Sequence, residues 1–119
     1  MANDADQQED LRMYVMDLQS AVVNVSTTLE SCAQKLQPTD WNVTAAKREA
    51  DSTLAVIETA SLGQLEHHVN MLREILTNAR TALEHYKAQT DQMAGRGGMT
   101  GIFVRSAING VDRVLNTKQ

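Results

Sequence analysis

Apolar residues in the first third of the chain recur in alternating steps of four and three: Leu11, Val15, Leu18, Val22, Val25, Leu29, Cys32 and Leu36. A repeat averaging about 3.5 residues marks helices that pack side by side along a continuous apolar seam. A second ladder runs through Leu62, Leu65, Val69, Leu72, Leu76, Ala79, Leu83, Tyr86, Thr90 and Met93. Two such seams must find each other or another chain. With one proline, Pro38, and no alternating Val/Ile/Thr-rich run, a β-sheet is a poor alternative. Aromatics make up only 3% of the 119 residues, so the core must be built from aliphatic side chains, which suits helix-on-helix packing.

The expected architecture is all-α: a helical hairpin or coiled-coil bundle with a long second helix and a short C-terminal amphipathic helix. The first helix is expected over about 5–36. Acids crowd its first turns, where they oppose the positive end of the helix dipole, and Gln37 before Pro38 is pushed out of helical geometry. Pro38–Asn42 forms the turn, with Asp40, Asn42 or Thr44 available to cap the second helix. That helix is expected over about 43–93. Its early seam (Ala50, Leu54, Ile57, Ser61) slips by one residue against the ladder that begins at Leu62, next to Gly63. Ser61 and Gln64 have capping-box spacing, so a new helix starting there is the alternative. A lone glycine costs a helix only about 1 kcal/mol, and on that ground we expect continuity. These segments form a first unit over 1–94. A glycine-rich hinge over 95–101 then leads to an amphipathic helix over 102–119, whose apolar face carries Val104, Ala107, Ile108, Val111, Val114 and Leu115. That helix is expected to pack back on the bundle. A partner's groove or a membrane surface is the lesser expectation for it.

The formal net charge is −4, but residues 95–119 hold four bases (Arg96, Arg105, Arg113, Lys118) against the single acid Asp112. Four scattered bases on an acidic body do not make the clustered face that phosphate neutralisation requires, so no nucleic-acid partner is expected. The lone cysteine, Cys32, lies on the first seam and reads as a small buried apolar residue. His67 and His68 are adjacent and diverge by about 100° on a helix. No Glu-x-x-His or HExxH spacing accompanies any histidine, so neither metal nor cofactor is expected. The AGRGGMTG stretch has no preceding strand and no GxxxxGK, and reads as a helix stop rather than a phosphate loop. The acidic N-terminal stretch lacks a signal-peptide pattern and no apolar run has membrane-spanning length, so the expected compartment is the cytoplasm, with leaderless export as the alternative.

Trp41-Asn42-Val43-Thr44-Ala45-Ala46 stands in the hairpin turn after a first helix of thirty-odd residues. There the chain resembles the WXG-motif family of type VII secretion substrates, over about residues 5–90. The resemblance implies a small leaderless helical hairpin that dimerises into a four-helix bundle. Val43 replaces the family's glycine, and the family's Tyr-x-x-x-Asp/Glu export signal is missed by one residue, since Thr90 rather than Asp91 stands four after Tyr86.

The resulting expectation is a non-enzymatic interaction protein, a scaffold, adaptor or assembly subunit, forming a homo-oligomer or binding a helical partner through its seams. A small leaderless secreted protein or secretion chaperone is the alternative. The residues expected to carry the interaction are Leu11, Val15, Leu18, Val22, Val25, Leu29, Trp41, Leu65, Val69, Leu72, Leu76, Leu83, Tyr86, Phe103, Ile108, Val111 and Leu115.

Overall fold

A computed structural model describes residues 4–117. Lys118, counted above in the basic tail, and residues 1–3 of the expected first unit lie outside the described residues. The described chain is an all-α bundle of α1 (Asp4–Lys35), α2 (Val43–Val56), α3 (Leu62–Asp91) and α4 (Gly98–Leu115), with a short 3-10 turn at Ala94–Gly97 before α4.

The two long helices, α1 and α3, run parallel and zip their ladders together. Leu11 through Cys32 on one and Leu65 through Thr90 on the other are buried, joined by Tyr14. The ladder ends are more open: Leu36 and Leu62 are partly buried and Met93 is exposed. The turn after α1 is fastened to the far end of α3. The Gln37 N–H donates to Gln89 Oε1 at 3.0 Å, and Gln89 Nε2 donates back to the Gln37 carbonyl at 3.0 Å. The Thr39 N–H donates to the Tyr86 hydroxyl at 3.1 Å, and Asn42 Oδ1 caps α2 by accepting from the Ala45 N–H.

The long second helix expected from the sequence is broken. α2 ends at Val56, and α3 begins behind Ser61, whose side chain and that of Gln64 form a complete capping box. The phase also differs: the buried positions are Ala46, Ala50, Thr53, Ile57 and Ala60, while Leu54 is half exposed. This seam and the α3 ladder are out of register, so one straight helix cannot bury both. The chain stops, reverses and restarts, and each seam then reaches the core. Hydrogen bonds from α1 hold the reversal, with Arg12 Nε donating to the Ile57 carbonyl at 3.1 Å and Gln8 Nε2 to the Ala60 carbonyl at 2.9 Å.

The expected 95–101 hinge is also more ordered than a linker. Gly95, Arg96, Gly97 and Gly98 all have positive φ, making a tight reversal, and α4 starts at Gly98 rather than near residue 102. A Cβ on Gly97 would lie 2.6 Å from the Thr90 Cβ, and one on Gly101 would collide with the Arg96 carbonyl oxygen. Glycine is what lets α4 fold down so closely. α4 then buries Val104, Ile108 and Val111 against α1 and α3, each worth about 1.5–3 kcal/mol before entropic costs.

Candidate functional site

The structure sorts the expected interaction residues into two groups. Leu11, Val15, Leu18, Val22, Val25, Leu29, Leu65, Val69, Leu72, Leu76, Leu83, Tyr86, Ile108 and Val111 are all buried together in the core of one chain. Leu115 is partly buried against the same core. The seams expected to bind another chain are thus already occupied by each other. Trp41, partly buried, and Phe103, 54% exposed, are left at the surface.

Trp41 stands at one end of an open groove of about 880 Å³ between α2 and α3. Both helices pack on α1 or its turn and touch each other little; Thr53 Oγ1 of α2 lies 3.2 Å from His68 Nδ1 of α3. One wall carries Trp41, Ala45, Ala46 and Glu49; the other carries Met71, Ile75, Asn78, Ala82 and His85. Ala46 and Ala82 form the buried floor. The lining includes the carboxylates Asp40 and Glu49 and no lysine or arginine.

Phe103 belongs to a different surface. Met99, Ile102 and Phe103 sit at i, i+3 and i+4 on the outward side of α4, opposite Gly101, Val104 and Ile108, and all three are more than half exposed. Arg113 lies three turns beyond Ile102 on the same side and is exposed. The only acid of α4, Asp112, is turned the other way, with Arg80 Nε at 2.5 Å and Nη2 at 3.1 Å from its two oxygens. The outward face therefore combines apolar bulk with positive charge. Met99 and Ile102 were missed as site residues, although their spacing relative to Phe103 is visible in the sequence.

A third, smaller apolar strip joins Met16 and Val23 on α1 to Leu54 on α2. These α1 residues lie on the flank that also carries Arg12 and Glu30, both of which reach the α2 segment.

The ionisable groups are arranged to hold the fold. The hydrogen bond from Arg80 lowers the Asp112 carboxyl below the usual carboxylate range, and its charge adds to the effect. Asp91 is lowered chiefly by the hydrogen bond from Lys87, with Arg96 contributing, and Arg105 of α4 lies 3.5 Å away. Burial pushes the Cys32 thiol up, only partly opposed by Lys35, which disfavours the reactive thiolate. His67 and His68 meet edge to face with ring centroids 5.9 Å apart. Among the described residues no three His, Cys, Asp or Glu side chains converge as metal ligands, and no helix is long and apolar enough to cross a membrane. Comparison with protein-family models, with curated proteins and with solved structures finds no match.

Proposed function

We propose that this chain is a non-enzymatic helical interaction protein, serving as a scaffold, adaptor or assembly subunit. The observation that carries the reading is the distribution of apolar side chains left over once the core is complete. Besides the strip at Met16, Val23 and Leu54, they gather into a grooved surface at Trp41 and a raised one at Met99, Ile102 and Phe103. Exposed apolar patches with polar rims are the usual property of a surface that binds another macromolecule. Catalysis finds less support, because the groove lining offers two carboxylates and one histidine, and the Thr53 hydroxyl beside His68 is fully buried and donates to the Glu49 carbonyl at 3.0 Å.

The reading is tested by crosslinking inside cells, followed by the mass of the species that carries the chain. A defined assembly larger than the 13.1 kDa chain is expected. Recovery of the free chain alone, under conditions that trap a known complex, contradicts it.

A second reading, a leaderless exported hairpin, draws on the turn itself. Trp41 is half-buried between two antiparallel helices, and Val43 is the first residue of α2, with no positive φ that would call for glycine. Unprocessed protein in the culture medium of intact cells favours export, and full retention opposes it.

A further inference from the structure

We infer that this chain binds a second copy of itself head to tail, the outward face of α4 on one copy seating in the α2–α3 groove of the next. The inference rests on the interaction reading above and names its partner.

Three features make the two surfaces a matched pair. The first is charge. The groove is rimmed by Asp40 and Glu49 with no lysine or arginine in its lining, whereas the α4 face presents the exposed Arg113, and the single acid of α4, Asp112, is directed away to Arg80. Opposite charges at the rims set orientation and suppress like-with-like pairing, because two α4 faces or two grooves repel.

The second is relief. The groove is concave with an apolar floor, while Met99, Ile102 and Phe103 stand proud of α4. An amphipathic helix laid in an apolar groove through residues at i, i+3 and i+4 is a recurrent recognition mode. The third is length. From Met71 to His85 along α3, and from Met99 to Arg113 along α4, each surface spans about 21 Å at about 1.5 Å per residue.

Placement decides what the pairing builds. α2 and α4 lie on opposite flanks of α1 and α3 and do not touch. On α3, Arg73 and Arg80 reach towards α4, while Met71, Ile75 and Ala82 face the groove. A copy therefore cannot seat its own α4 face in its own groove. The interface is heterologous, and it propagates into open chains or closed rings instead of stopping at a two-fold dimer. Each contact is small, so association is weak and concentration-dependent.

The test uses two full-length variants, each first shown by circular dichroism to melt as the wild type does. Phe103→Asp spoils the α4 face and leaves the groove intact. Glu49→Lys with Asn78→Lys makes the groove basic and leaves α4 intact. By light scattering from about 10 μM to about 1 mM, a range bracketing the weak association expected of a small contact, the wild-type mass climbs beyond twice 13.1 kDa. Each variant stays at one chain, and an equimolar mixture forms a species of two chains and no more, because only one good interface remains.

A wild-type mass fixed at one chain overturns the inference, as does a mixture that stays monomeric. A wild type that saturates at two chains and is insensitive to the groove variant also overturns it, pointing to α4 pairing with α4. Phe103-dependent sedimentation with phosphatidylglycerol vesicles by a monomeric wild type assigns the α4 face to lipid and overturns it too. In-cell crosslinks to other proteins alongside a monomeric wild type leave the interaction reading standing while removing this one.

Discussion

α2 and α4 are both short helices laid antiparallel to the α1–α3 pair, yet they finish the bundle differently. α4 fills the space between both long helices with Val104, Ile108 and Val111, and ties itself down through Arg80–Asp112, Arg105–Asp91 and an Arg73 hydrogen bond to the Leu115 carbonyl. α2 presents Ala46 and Ala50, which sit close against α1 but are too short to fill the gap to α3, and Thr53, which reaches α3 at His68. Large branched residues leave only a small opening of about 300 Å³ between α1 and α4, beside Phe103 and Gly110, while small ones leave the groove of about 880 Å³ on the other flank. Side-chain size on two otherwise comparable helices thus sets how wide an opening each flank keeps.

The largest expected effect lies beneath both flanks. Leu72 is fully buried between the ladders, and Leu72→Asp places an unpaired carboxylate there. A loss above about 4 kcal/mol is expected, comparable with the whole stability of a small domain. The circular-dichroism spectrum at 25 °C should then be that of a largely unfolded chain. A folded variant that has merely lost its partners would restore the seams as an interface.

The asymmetry itself is sharpened by Ile108→Ala against Leu54→Ala. Removing the buried α4 side chain should lower stability by about 2–5 kcal/mol. The half-exposed α2 leucine should change it by less than about 0.5 kcal/mol. Equal shifts of the urea midpoint would erase the distinction between a sealing helix and a flanking one.

Next comes the reversal between α2 and α3. Ser61→Ala removes the side chain that accepts from the Gln64 N–H at 3.3 Å, and should cost about 1 kcal/mol by urea titration. No change would mean that the chain runs helically through this region.

The smallest effect is the pH dependence of the α4 ties. Asp112 and Asp91 have lowered folded pKa values, so their contribution is present above the ordinary carboxylate pKa of about 3.9 and is lost as pH falls through the lowered values. Both are solvated, which keeps the contribution modest. Asp112→Asn should be less stable than wild type at pH 7, with the gap closing on acidification below pH 4. A gap that widens in acid reverses the assignment.

The parts of the fold legible in the sequence are those written by large side chains in unbroken phase. The α1 ladder from Leu11 to Cys32 and the α3 ladder from Leu65 to Thr90 are buried throughout. The phase of α2 is misread from sequence because Leu54, the bulkiest apolar residue of α2, marks the wrong stripe. Thr53 and Ala60 carry little hydropathic signal, and their burial depends on what α1 places opposite them. The helix break is visible as the Ser61–Gln64 box, but the small cost of Gly63 argues for continuity, and only the register conflict between seams settles it. Phe103 can be picked out as apolar bulk. The groove cannot, because the small residues Ala46 and Ala50 are visible in the sequence but the α3 residues that stand across from them are set by how both helices pack on α1.

The two heptad ladders are the interior of one chain. That closure is read from the urea midpoint of the full-length Phe103→Asp variant, measured over about a hundredfold range of protein concentration, so that association through the α4 face plays no part. A core closed within each chain predicts one midpoint at every concentration. A midpoint that climbs with concentration means that folding and association are a single event, with the seams lying between chains.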